Sequence, residues 1–250
     1  MNSDILASGK VTDKLNARET MSDKRTCGVF CALLMLAGGW QAVIAEDGAV
    51  VKAPTPITVD GDAGEWESIK AYLSLISGEG EAARCKLAYD DTNLYALVQV
   101  QDNSPLKNNS QIIQELLKGG DAVGFCFGQA NGKGAAQRLL VSMVGSNSVA
   151  LMMRPGWGGD RKPYTYHTAA VGDVNFDFVA VLPEVQVVFK IREDGYTAEV
   201  KIPWSVIGFG PSDGLSFPFD LQVIFSNPAG TINVATCWWN SSGQGPMMTM

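Results

Sequence analysis

Asp60, Asp62 and Glu65 stand within six residues of one another in ITVDGDAGEWESIK, residues 57–70, beside two glycines and Trp66. Carboxylates so close could share a hard cation, because calcium collects carboxylate and carbonyl oxygens together. They could also act as acid and base on a glycosidic bond, which needs two carboxyl groups facing one sugar. Spacing along the chain does not put two acids across a sugar, so hydrolysis gains nothing here beyond an abundance of acids. The plainer reading is architectural: Asp60-Gly61 is turn chemistry, and Trp66 is the kind of large ring that a core buries. That reading is preferred. Asp60 and Asp62, with Asp90, Asp91 and Asp102 at the ends of a later strand, remain candidate calcium ligands.

Other chemistry is quickly bounded. His167 is the sole histidine, so a zinc site with several His ligands is excluded. No serine sits in a G-x-S-x-G elbow. Residues 128–134, GQANGKG, have the wrong spacing for a phosphate loop and read as a hairpin turn. The tryptophans divide. Trp66 and Trp204 read as core or edge-sealing residues. Trp157 lies in a Gly-rich loop, RPGWGG, that could not bury it cheaply. Trp238 and Trp239 are neighbours near a strand end, so their rings point to opposite faces. Trp239 is taken as the outward one, with Trp238 as the alternative. Exposed aromatic faces suit sugar rings, whose C–H groups pack on π surfaces.

The first 45 residues have a different grammar. Lys24 and Arg25 precede the apolar run 29–37, followed by Gly38-Gly39 and then Val43-Ile44-Ala45. This is the pattern of a secretory leader cut after Ala45, and the run is short for a membrane span. An uncleaved anchor is the alternative. The basic residues lie far from Met1, which makes Met21 a natural start. Loss of residues 1–45 leaves 14 Lys and Arg against 22 Asp and Glu, a net charge of −8. An acidic exported domain suits neutral ligands or cations and argues against nucleic acid, which needs clustered Lys and Arg. The expected location is the periplasm, the cell surface or the medium, with no stable membrane insertion after cleavage. Three cysteines remain, Cys85, Cys126 and Cys237, an odd number that allows one internal disulfide at most. Cys85 and Cys126 sit in apolar runs and read as core residues.

The elements that must position these residues are strands. Residues 94–101, 122–127, 139–144, 149–153, 185–191, 196–202, 221–225 and 232–237 alternate or run apolar as strands do. Turn residues separate them, and Asp194-Gly195 between two alternating runs is the clearest hairpin. Only residues 111–118 read as a helix, with Ile112, Ile113, Leu116 and Leu117 on one face. Residues 156–173 have no clean period and read as a long loop, a usual place for binding residues. About ten short strands with one short helix predict an all-β protein, an antiparallel β-sandwich of jelly-roll or immunoglobulin-like form. No linker divides residues 46–250, which therefore read as one domain.

Four motifs in order, ITVDGDxxEW, LAYDDTNLYALVQVQD, GGDAVGF and GYTAEVKIPW, resemble the family 9 carbohydrate-binding modules and the wider DOMON-like sandwich superfamily over residues 54–240. The resemblance implies a non-catalytic antiparallel sandwich that binds sugars, often at chain ends, and often carries structural calcium. It implies a partner role beside glycoside hydrolases or at the cell envelope. Relatives usually continue past the last Trp motif, so the resemblance also implies C-terminal truncation at Met250. A slot in which two rings clamp a sugar is implied too; Trp157 and Trp239 are the candidate rings, and Asn240 and Arg154 the candidates to read the hydroxyls. Two rival readings stand beside it. Some DOMON-like sandwiches hold haem b through Met with His or Lys, for which Met143, Met152, Met153 and His167 are available. An envelope adhesion or scaffold domain with no small ligand is the other.

Overall fold

The computed structural model describes residues 50–77, 80–128, 137–155, 161–168, 172–239 and 247–249. The leader, Trp157 and Asn240 therefore lie outside the described residues. Two sheets make the fold. One has β1 (Val51–Lys52), β2 (Leu73–Ser77), β3 (Gly80–Tyr89), β4 (Asn93–Gln101), β11 (Gln186–Arg192) and β12 (Gly195–Pro203), in the order β1-β3-β4-β12-β11 with β2 also on β3. The other has β5 (Ala122–Phe127), β6 (Gln137–Val144), β7 (Asn147–Arg154), β10 (Phe178–Val181), β13 (Ser216–Ser226), β14 (Asn233–Trp238) and β15 (Met247–Thr249). Its order is β10-β7-β6-β5-β13-β14, with β15 on β13. A separate ribbon pairs β8 (Tyr164–Thr168) with β9 (Gly172–Phe176).

The alternation decides the layers. Leu94, Ala96, Val98 and Val100 of β4 and Ala198, Val200 and Ile202 of β12 face Val123, Phe125 and Phe127 of β5 and Phe219, Leu221 and Val223 of β13 in one core between the sheets. The intervening residues build two outer clusters. Trp66, Ile69, Ala88, Tyr95 and Leu97 pack outside the six-stranded sheet. Leu116, Leu140, Leu151, Met153, Tyr166 and Phe176 pack outside the seven-stranded one, beneath the β8–β9 ribbon. The antiparallel sandwich is thus as expected, apart from β1, which runs parallel to β3.

Local details follow the turn chemistry. Gly195 begins β12 with φ 144, and a Cβ there would meet the Val100 carbonyl at 2.1 Å, so the hairpin needs glycine. The helix expected at 111–118 forms only a 3₁₀ turn at Ile113–Glu115, with no side-chain cap on Ile112 and two glycines after Lys118. Among the described residues the α-helix is instead α1, Trp204–Ile207, one turn closed by Gly208 at φ 92. The loop expected over 156–173 gives way, within the described residues, to β8 and the start of β9. Cys85 and Cys237 are buried free thiols. Cys126, expected in the core, lies on the outer side of β5, because Phe125 and Phe127 take the inner one.

Candidate functional site

The acid cluster of the opening stretch resolves into architecture. Asp60 Oδ1 accepts from the Asp62 amide at 2.8 Å, and Asp62 Oδ1 from the Gly64 amide at 3.1 Å. The turn is then bolted to β12. Glu199, 0% exposed, accepts the amides of Asp60 and Gly61 at 3.1 and 2.8 Å on Oε2 and the Trp66 indole N–H at 2.8 Å on Oε1. Trp66 is itself fully buried. The first and fourth sequence motifs are therefore two halves of one lock.

The other proposed metal ligands separate in space. Asp90 Oδ1 accepts from the amides of Thr92 and Asn93 and from the Thr92 hydroxyl, and its Oδ2 accepts from Tyr95. Burial alone would raise its carboxyl, but these bonds outweigh burial and hold it down at about 2. Asp91 pairs with Lys52 at 3.0 Å on the surface. Asp102 lies at the far end of β4, about 30 Å from Asp90 at strand rise, so these acids cannot share an ion. Among the described residues no three His, Cys, Asp or Glu side chains gather as a metal site would require. One oxygen stands apart. Asp102 Oδ1 accepts from Ser104, but its Oδ2 is buried with no hydrogen-bond partner. The neighbouring carboxylate is Asp121, which the sequence did not single out; burial first, and Asp102 in part, push its carboxyl up. Tyr196, whose buried hydroxyl has no partner, lies within the field of both acids.

Of the expected clamp, Trp239 and Arg154 are described, and both face inward. Trp239 is 4% exposed, donates its amide to the Leu221 carbonyl, and packs on Phe219 at 6.3 Å. The expectation of an outward Trp239 is thus corrected: Cys237 points into the core, and a period of two sends Trp239 with it. Arg154 reaches the end of α1, donating to the Val206 carbonyl at 2.5 Å and to Gln137 Oε1 at 2.9 Å, while Gln137 donates to the Ile207 carbonyl. With Gln137 it satisfies helix-end carbonyls, a structural task.

Trp238 is the outward ring. It lies on the outer face of the seven-stranded sheet, partly exposed, with the Arg138 guanidinium 5.1 Å from its centroid. Gln222 is its cross-strand neighbour and Gly124 is the next residue in that row. Gln222 is 0% exposed, and neither its Oε1 nor its Nε2 has a hydrogen-bond partner. Asp220, Cys126 and Arg138 form the adjacent row. A buried amide lacking both partners needs an explanation, and beside an aromatic ring it has the makings of a ligand site. Sequence reasoning missed Gln222 and Arg138. The alternating pattern does put both on an outward face, but an amide or guanidinium there normally looks like ordinary solvated surface.

The methionines and histidine considered for haem do not converge. Met152 and Met153 face opposite sides of β7, and Met143 is partly buried near the end of β6. The exposed His167 bonds Asp173 at 2.7 Å on the ribbon.

No family model matches the chain, and no curated protein does. Among solved structures, the chain is similar to a family 9 carbohydrate-binding module from Caldicellulosiruptor kristjanssonii. In its complex with glucose the identity is 15% and the TM-score 0.48, covering 80% of this chain and 94% of that one. In its complex with cellotriose the values are 16% and 0.48, covering 80% and 92%. A protein from Bacteroides uniformis, named as a suspected carbohydrate-binding protein, is 9% identical with a TM-score of 0.49, covering 80% and 97%.

Proposed function

We propose that the chain is a non-catalytic carbohydrate-binding domain that takes a sugar ring on the outer face of its seven-stranded sheet. The observation that carries this is Gln222, buried with both amide atoms unpartnered beside the partly exposed Trp238. An amide offers one acceptor and two donors, which match sugar hydroxyls, and an indole offers the flat apolar surface that a pyranose face packs against. The four ordered motifs and the net negative charge support a neutral glycan rather than nucleic acid. Export through residues 1–45, to the envelope or beside polysaccharide-degrading enzymes, is part of the same proposal. So is a structural calcium, for which the buried, unpartnered Asp102 Oδ2 is the candidate ligand. The test is calorimetric titration of the folded protein against a broad panel of soluble mono- and oligosaccharides, with Trp238→Ala and Gln222→Ala alongside. Binding that both variants lose supports the reading; no binding by folded wild-type protein across the panel ends it.

A further inference from the structure

Arg138 and Trp238 stand on β6 and β14, with β5 and β13 between them. Three strand spacings amount to about 14 Å. The two residues are also staggered along the strands: Arg138 lies opposite Cys126 and so in the row of Asp220, whereas Trp238 lies opposite Gln222. Yet the guanidinium carbon is 5.1 Å from the ring centroid. The side chains therefore reach toward each other across the strands that carry Gly124 and Gln222. Arg138 is 2% exposed although it sits on an outward face, and Gln222 is 0% exposed. Gly124 gives the Gln222 side chain its room: a Cβ there would meet Gln222 Oε1 at 3.0 Å and Leu140 Cδ2 at 3.2 Å. A glycine within a strand commonly marks such a close approach.

We infer that Arg138 and Trp238 form a strap that closes over the Gln222 carboxamide in the ligand-free protein, and that a ligand must part the strap to reach it. The identity of that ligand rests on the sugar reading; the closure itself does not. Trp238 is partly exposed, so its ring has solvent to move into when the strap parts. Gln222 is then offered only in the open fraction, and the apparent affinity falls by that fraction. Gly124 is the positioning residue, since a larger side chain would push the carboxamide up against the strap.

The test reads side-chain amide hydrogen exchange of Gln222 by NMR in the full chain without ligand, with Gln222→Leu assigning the signal. In wild-type protein this amide exchanges at least about 10-fold more slowly than that of the exposed Gln186, as a covered group does. Arg138→Met, which keeps the apolar stem, and Trp238→Leu each bring it to within about 2-fold of Gln186, while the backbone amide of Val223 keeps its protection. A wild-type amide that already exchanges like Gln186 overturns the strap. So does one that both folded variants leave slow, or one that opens in both variants only together with Val223, because the cover is then the fold itself. Should Arg138→Met not fold, Trp238→Leu alone decides, since that ring is partly exposed. A blank sugar panel with a protected Gln222 amide overturns the sugar reading and leaves the strap. Sugar binding with an unprotected amide does the reverse.

Discussion

Glu199 receives three N–H donors, the amides of Asp60 and Gly61 and the Trp66 indole. Its two oxygens therefore act only as acceptors, and an amide in its place would turn one N–H against another. Glu199→Gln should cost about 1–3 kcal/mol, the usual cost of an unmet buried polar group, measured by denaturant unfolding. Equal stability would mean that the lock between the first turn and β12 contributes little. Asp90 carries a pH signature. Its folded carboxyl, held at about 2, lies below the unfolded value near 3.9. The unfolded state then binds more protons, so the stability from Asp90 is present above that unfolded value and is lost as pH falls toward about 2. The stability gap between wild type and Asp90→Ala should therefore narrow over that window; a constant gap would refute the assignment. The two adjacent tryptophans separate by burial. Trp239→Ala, which empties a core site beside Phe219, should cost about 3–5 kcal/mol of stability. Trp238→Ala should leave the melting temperature nearly unchanged and weaken glycan binding by about 1–3 kcal/mol, as loss of aromatic stacking on a flat ligand does. If Trp238→Ala melts as early as Trp239→Ala, the outer face is core and the site is wrong.

At the scale of elements, the strands were legible because alternation survives wherever one sheet face is drier than the other. Residues 94–101, 122–127 and 196–202 all read correctly. The ribbon of β8 and β9 was not legible: five-residue strands such as YTYHT, lying on an outer cluster, bury Tyr166 but leave His167 exposed, too short a pattern to stand out. The helix failed for a related reason. Leu116 and Leu117 are apolar at helical spacing, but they anchor a 3₁₀ turn beneath the ribbon, where Tyr164 donates to Glu115 at 3.1 Å and Lys118 lies 4.3 Å from the Tyr166 ring. The site was half legible. Strand alternation required one of Trp238 and Trp239 to face out, but which one depends on Cys237 packing inward, and a sequence gives no sign of that choice. Arg154 looked like a ligand because it adjoins Trp157; its role appears only when α1 is seen to end against β6 and β7. Its carbonyl partner there, Val206, is more than fifty residues away in sequence.

The whole molecule interleaves its chain. β4 pairs with β12, and β5 with β13, each across about a hundred residues, and the six-stranded sheet takes strands from both ends of the sequence. Such non-local pairing slows folding toward milliseconds to seconds, and it leaves neither sheet a contiguous segment that could fold alone. The two outer clusters test this. Leu97 is 2% exposed outside the six-stranded sheet, and Leu151 is 0% exposed outside the seven-stranded one. Two sheets, about 10 Å apart, lie between them. Leu97→Ala and Leu151→Ala should each cost about 2–5 kcal/mol, through lost burial and the cavity left behind. With no shared partners, their costs should add to within about 0.5 kcal/mol. Both should nevertheless shift one common transition, followed with the same midpoint by far-ultraviolet and near-ultraviolet circular dichroism. Two transitions, one moved by each substitution, would show that the sheets unfold separately, and the interleaving of β4 with β12 and β5 with β13 would not be what makes the sandwich cooperative.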